Sequence, residues 1–106
     1  MTTWTVPATV LRIVDSDTIR LDLDLGWHTY RIENCRIAGI NAPELTTDAG
    51  KAARSYAQQF LPLDTEVVFE STCLDKYGRP LGHIRRNGVD FGEQMLAAGH
   101  AVPFMT

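Results

Sequence analysis

C-R-I-A-G-I-N-A-P-E, residues 35–44, is the stretch on which the rest of this chain turns. It starts as an apolar run carrying one arginine, Arg36, and passes through Gly39 into a turn fixed by Pro43. Proline has no amide proton and a locked φ, and it biases Ala42 toward an extended conformation, so a strand must end here. Arg36, Asn41 and Glu44, three groups that attract phosphate or metal, are thereby expected at the mouth of one strand. An arginine is costly to bury among Ile, Cys and Ala unless it is paired or used. Either a structural ion pair or a functional contact is therefore expected of Arg36.

Upstream, residues 8–14 (A-T-V-L-R-I-V) and 18–25 (T-I-R-L-D-L-D-L) are strand candidates separated by Asp15-Ser16-Asp17. The second alternates, with Ile19, Leu21, Leu23 and Leu25 on one face and Arg20, Asp22 and Asp24 on the other. Gly26 allows a turn, and Tyr30 to Ile37 reads as a third strand, completing an antiparallel meander. Downstream the period changes. Ala49, Ala52, Ala53, Tyr56 and Phe60 recur at helical spacing, Thr46, Thr47 and Asp48 offer N-cap oxygens, and Pro62 closes the helix. Lys51, Arg54 and Gln58 then occupy its wet face. Glu66 to Ser71 and Leu81 to Arg86 are a fourth and a fifth strand, joined by the loop around D-K-Y-G-R-P (75–80). Asn87-Gly88 is a turn signal. Asp90, with Glu93 three residues on, opens a short second helix, and Gly99 suits a left-handed C-cap. Five short strands with one helix after the third and a short C-terminal helix make an α+β, mainly β chain in the order of an OB-type barrel. It is read as a single domain over residues 1–106.

The chain has 106 residues, enough for one small core. Hydrophobic content of 44% with 22% charged residues is ordinary for a globular protein. No apolar run is long enough for a membrane span, and residues 1–15 lack the basic start and apolar stretch of a secretory signal, so a cytoplasmic location is expected. Cys35 and Cys73 form no disulfide framework and have no metal-like spacing; both are expected as free thiols packed like small hydrophobes. The net charge of −3 argues against binding nucleic acid by bulk electrostatics. The charges are nonetheless segregated. Arg36, Lys51, Arg54, Lys76, Arg79, Arg85 and Arg86 lie in the later part of the chain, and Asp15, Asp17, Asp22 and Asp24 crowd the earlier part. A focused cationic site on an acidic body fits that distribution.

Three segments stand out together: V-D-S-D-T (14–18), C-R-I-A-G-I-N-A-P-E (35–44) and D-K-Y-G-R-P-L (75–81). Jointly, and in this order, they resemble the staphylococcal nuclease family, the thermonuclease-like domains, over about residues 6–102. The resemblance implies a Ca²⁺-dependent nuclease that hydrolyses phosphodiester bonds of DNA and RNA to 3′-phosphate ends. By position it implies Ca²⁺ ligation through Asp17, Asn41 and the backbone carbonyl of Ala42. It further implies that Glu44 orients or deprotonates the attacking water. Arg36 and Arg79 would grip the scissile phosphate, and Lys76 and Tyr77 would hold a terminal phosphate. Asn41 stands where the family has an aspartate, so weaker Ca²⁺ binding is expected. The chain also ends at Pro103-Phe104-Met105-Thr106, before the family's substrate-stacking tyrosines and third helix. A partner or oligomer supplying that C-terminal surface is one expectation from this difference.

The residue types suit the chemistry independently. Attack on a phosphodiester builds charge on a five-coordinate phosphorus, which two guanidinium forks and a hard cation stabilise. Plainer roles exist for the same residues. Asp15 and Asp17 suit Asx capping of a turn, Tyr77 suits covering a core edge, and Glu44 suits a solvated loop. His28, His83 and His100 match no ligand spacing and are expected at surface or edge positions. Trp4 and Trp27 suit core or edge packing, with base stacking as the alternative. At the level of function the counterpart reading is an OB-type nucleic-acid or protein-binding module that keeps the skeleton without cleaving.

Overall fold

A computed structural model describes residues 3–104 of the chain. Met105 and Thr106, part of the C-terminal stretch discussed above, lie outside the described residues. The elements in order are β1 (Trp4–Asp15), β2 (Thr18–Asp24), β3 (Tyr30–Ile37), β4 (Ile40–Asn41), α1 (Asp48–Phe60), β5 (Glu66–Leu74), β6 (Pro80–Arg86), β7 (Val89–Asp90), α2 (Phe91–Ala97) and β8 (Val102–Pro103).

The five long strands run β3-β2-β1-β5-β6 across the sheet, and β3 meets β6 again in parallel, closing an OB-type barrel. β1 makes closure possible by serving two neighbours. Its first half, Trp4–Thr9, pairs with β5, and its second half, Ala8–Asp15, pairs with β2. Register shifts between Val10 and Arg12 and between Ile13 and Asp15 bend it, as an extra residue in one strand does. The strand therefore starts four residues earlier than its apolar pattern suggested. Pro7 sits inside it, opposite Val68, where β1 is paired on one side only and a missing amide donor is tolerated.

Alternating side chains fill the barrel: Val10, Ile13, Ile19, Leu21, Leu23, Cys35, Ile37, Val67, Phe69 and Ile84 are all buried. Leu25 does not join that face. It lies beyond the end of β2 and is 36% exposed. Ala53, Ala57 and Leu61 from the first helix region and Phe91 and Met95 from α2 close one side of the core. Thr47 caps α1, its hydroxyl accepting from Gly50 N at 3.0 Å. The buried face of α1 is Gly50, Ala53 and Ala57, with Tyr56 and Phe60 packed partly against the core. Ala49 and Ala52, expected on that face, are exposed. The helix is turned so that Gly50, its one residue without a side chain, meets the chain before it. Asp90 caps α2 through Glu93 N, and Gly99, at φ 77°, ends it as the sequence suggests.

Candidate active site

One row of strand pairing assembles the site. Thr18 lies opposite Arg36 across β2 and β3, and Arg36 lies opposite Leu81 across β3 and β6. Segments that are far apart in sequence, 14–18, 35–44 and 75–81, thus come to one edge of the barrel. β6 lies close to both neighbours here: a Cβ on Gly82 would stand 2.0 Å from the Glu70 carbonyl oxygen of β5, so only glycine fits at this position, and on the β3 side Ala38 N donates to Gly82 O at 2.8 Å.

Arg36 is largely enclosed, with 11% of its side chain exposed. Nη1 donates to Ile37 O at 2.6 Å and to Asp17 O at 3.3 Å, and Nη2 donates to Ile40 O at 2.7 Å. The Asp17 carboxylate is 3.7 Å from Nη2. Arg36 is therefore paired, as burial demands, and most of its donors are engaged in shaping the 37–40 turn. Asp17 does not cap its own turn. Its Oδ2 accepts from Ala42 N at 3.0 Å, tying the β1–β2 corner to the Asn41–Ala42 backbone.

The C-terminal segment pins this loop from the other side. β8 pairs with β4, Ile40 opposite Pro103 and Asn41 opposite Val102, and Phe104 N donates to Gly39 O at 2.9 Å. The half-exposed Phe104 ring lies with its centroid 5.9 Å from the Arg36 guanidinium carbon. Nothing in the local sequence pattern marks this strand, because two residues carry no periodicity.

Glu44 is exposed, with its backbone fixed rather than its side chain. Its carbonyl accepts from Thr47 N at 3.0 Å and from Thr47 Oγ1 at 2.7 Å. A Cβ on Gly50 would stand 1.8 Å from that same oxygen. Gly50 is a site-supporting residue that pattern reading passed over. The available signal was a glycine in the first turn of an alanine-rich helix, where it costs helix propensity and so points to close approach.

The 75–79 turn is organised by Asp75. Its Oδ1 accepts from Tyr77 N and Arg79 N, both at 2.9 Å, and its Oδ2 accepts from Arg79 Nε at 2.7 Å. Partial desolvation opposes its charge, but these hydrogen bonds and the Arg79 guanidinium outweigh it and hold the carboxyl below its ordinary value. Tyr77 does not cover a core edge. The residue is 72% exposed, with Lys76 Nζ 5.2 Å and the Arg79 guanidinium carbon 5.5 Å from its ring centroid. Lys76, Tyr77 and Arg79 form one exposed cation–aromatic cluster.

Other residues fall differently from expectation. Trp4 is 60% and Trp27 98% exposed, so neither packs in the core. Trp27 and His28 occupy the left-handed region at the β2–β3 tip, which turns both outward. Cys73 is exposed, whereas Cys35 is buried and its thiol is pushed up to about 12, by burial first and by the Glu33 charge second. Arg85 pairs with Glu70 and Arg86 donates to Phe60 O, so these two cations serve the fold.

The donor set near Asp17 fits a weakly held hard cation. One carboxylate, the Asn41 amide oxygen and the Ala42 carbonyl belong to two loops joined by the Asp17–Ala42 hydrogen bond, and all are oxygen donors of the kind Ca²⁺ takes. Among the described residues no three His, Cys, Asp or Glu gather in a metal-like group. No described helix is long and apolar enough to cross a membrane.

The sequence profile of the family described as "Staphylococcal nuclease homologue" matches residues 34–105, well over half of the chain. Two curated rice proteins (Oryza sativa subsp. japonica) are also similar. "Probable staphylococcal-like nuclease CAN2" is 38% identical over 77 residues, covering 73% of this chain and 20% of the relative. "Probable staphylococcal-like nuclease CAN3" is 36% identical over 77 residues, covering 73% and 19%. The chain thus spans about a fifth of the length of these relatives. With its OB-type barrel, its single row of site strands and a profile match across both the 35–44 and 75–81 motifs, the chain belongs to the staphylococcal nuclease family.

Proposed function

We propose that this domain is a Ca²⁺-dependent nuclease that hydrolyses phosphodiester bonds of DNA, RNA or both, leaving 3′-phosphate ends. The observation that carries the reading is the Thr18–Arg36–Leu81 row, which sets Asp17, Arg36 and the Arg79 turn along one edge. Arg36 and Arg79 are the phosphate-gripping pair, their remaining guanidinium protons meeting the oxygens where charge builds. Lys76 and Tyr77, beside Arg79, hold a neighbouring phosphate. Glu44, exposed at the mouth of the site, orients a water and takes its proton. The water oxygen bonds to phosphorus as the bond from phosphorus to the 5′-oxygen breaks. The 5′-oxygen takes a proton from solvent, since neither arginine gives one up near neutral pH. Asp17, Asn41 and Ala42 O would hold Ca²⁺, which when bound supplies Lewis-acid stabilisation of the phosphoryl oxygens.

A second reading has its own support. Three carbonyls already engage the Arg36 guanidinium, which suits an OB-type binding module in which Arg36 shapes a loop and no cleavage occurs. Incubation of the purified protein with single-stranded DNA, with and without Ca²⁺, separates the two. The nuclease reading expects Ca²⁺-dependent products with 3′-phosphate ends. Retention of intact strands by the protein in both conditions favours the module.

A further inference from the structure

The barrel is closed along only part of β3. Its parallel contact with β6 is confined to Arg36–Ile37, so among the described residues Tyr30–Asn34 pairs with β2 alone. The gap is a groove of about 440 Å³, within the size range of small-ligand sites. Its floor is the buried pair Leu23 and Phe69, and Trp4, Leu25 and Leu74 form walls that are 60%, 36% and 65% exposed. On β3 the groove is edged by Arg31 and Glu33, whose Nε and Oε1 lie 2.6 Å apart. The Arg31 side chain is 70% exposed, and its other donors have no partner among the described residues.

We propose that this groove is a base-binding subsite, taking a nucleobase of the same single strand whose phosphate meets Arg79. The proposal rests on the nucleic-acid substrate put forward above, and three observations select this occupant. Gly78 and Pro80, the two neighbours of Arg79, line the groove, so it is continuous with the exposed cluster of Lys76, Tyr77 and Arg79. A mainly apolar groove edged by the Arg31–Glu33 pair suits a base, which has two π-faces and a hydrogen-bonding rim, and the indole of Trp4 offers a stacking face. Charge is also compatible. Glu33 and Asp75 are each matched by an arginine, Arg31 and Arg79, and Lys76 adds a cation at the turn with no acidic partner among the described residues.

The test is fluorescence anisotropy with a 12-nucleotide deoxythymidine strand and with a strand of the same length abasic throughout, both in chelator so that no cleavage intervenes. The wild-type protein is expected to bind the thymidine strand more tightly. Trp4→Ala and Leu74→Ser, both at exposed positions, are each expected to lose at least about fivefold in affinity for the thymidine strand, the lower end of what stacking of one base supplies. Neither should change affinity for the abasic strand. Thermal melts of both variants establish that they fold. Equal losses on the two strands, no loss on either, or no binding by the wild type overturns the proposal. If instead Trp4→Ala abolishes a self-association seen by sedimentation and leaves strand binding unaltered, the groove is a contact between copies and the proposal falls. Groove-dependent binding without any Ca²⁺-dependent cleavage would remove the catalytic reading and leave the subsite standing. Cleavage without groove dependence would do the reverse.

Discussion

Gly50→Ala pits helix propensity against packing in a way that geometry decides. By propensity alone the change should stabilise α1 by up to about 1 kcal/mol, because alanine loses less backbone entropy. The new Cβ, however, would stand 1.8 Å from Glu44 O, 2.5 Å from Glu44 C and 3.0 Å from Leu45 Cα. These are backbone atoms, so no rotamer change relieves the contact. The Glu44–Leu45 backbone must retreat by more than 1 Å to reach even the 3.0 Å below which Cβ contacts essentially do not occur. Overpacking costs about 1–3 kcal/mol, and a contact this short with backbone atoms belongs at the upper end, so after the propensity gain the net change is a loss of about 2 kcal/mol. For a domain of this size each lost kcal/mol lowers Tm by about 4–8 °C. The same retreat breaks the hydrogen bonds that Thr47 N and Oγ1 make to Glu44 O and moves the Glu44 side chain. A misplacement of about 1 Å at a catalytic group costs on the order of a hundredfold in rate. Differential scanning calorimetry and cleavage of a labelled single strand in saturating Ca²⁺ read the two effects. A variant as stable as the wild type, or more stable, would mean that propensity wins and that Gly50 does not position Glu44.

Arg79→Lys should lower turnover at least a hundredfold with little effect on Tm, because its side chain is partly exposed and lysine cannot reproduce the planar fork. Arg36→Lys should lower both turnover and Tm, since it also removes hydrogen bonds to the carbonyls of Asp17, Ile37 and Ile40; parallel melts and rate assays distinguish the two arginines. Asn41→Asp should tighten Ca²⁺ binding from the roughly 10⁻⁴–10⁻³ M range of low-charge sites and raise activity at limiting metal. Calorimetric titration reads it, and an unchanged affinity would take Asn41 out of the metal site. In native protein at pH 8 a thiol reagent should modify Cys73 and spare Cys35, whose thiol is held near 12, until denaturant is added; equal labelling of both would contradict the burial. Asp75, with its folded pKa below the ordinary carboxylate value, contributes stability that is complete above that ordinary value and lost as pH falls through the folded one. An NMR titration of its carboxyl carbon should therefore find it among the last carboxylates to protonate, and Asp75→Asn should remove that part of the acid dependence.

Elements set by local pattern were legible in the sequence. The alternation of Ile19, Leu21 and Leu23 fixed β2, and Pro62 and Gly99 fixed the ends of the helices. What was not legible depends on contacts between distant residues. The first four residues of β1 are a strand because β5 pairs with them, across a proline that local rules discourage. The buried face of α1 is set by the approach of Gly50 to Glu44, so Ala49 and Ala52, apolar and correctly spaced, still face solvent. β8 exists because the 39–41 loop needs partners, and Phe104 reaches Arg36 as a result. Motif order named the candidate site residues, and strand register brings their segments to one edge of the barrel. The tie between Asp17 and Ala42 N, and the engagement of Arg36 with three carbonyls, could not be read from either segment alone. Trp27 at the β2–β3 tip and Tyr77 in the 75–79 turn are exposed because an aromatic residue at a tip or turn has no interior to enter, and Trp4, the first residue of β1, lines an open groove.

Glu44→Gln, assayed for strand binding and for cleavage side by side, tests the central claim most directly. The exchange keeps size and hydrogen-bonding capacity and removes the candidate base together with its repulsion of phosphate. The substituted side chain is exposed, so the fold should survive. Cleavage in saturating Ca²⁺ should fall by at least a hundredfold, while affinity for a single strand measured in chelator stays the same or tightens slightly. Undiminished cleavage would contradict the role assigned to Glu44, and a parallel fall in binding and cleavage would make it an anchor of the loop instead.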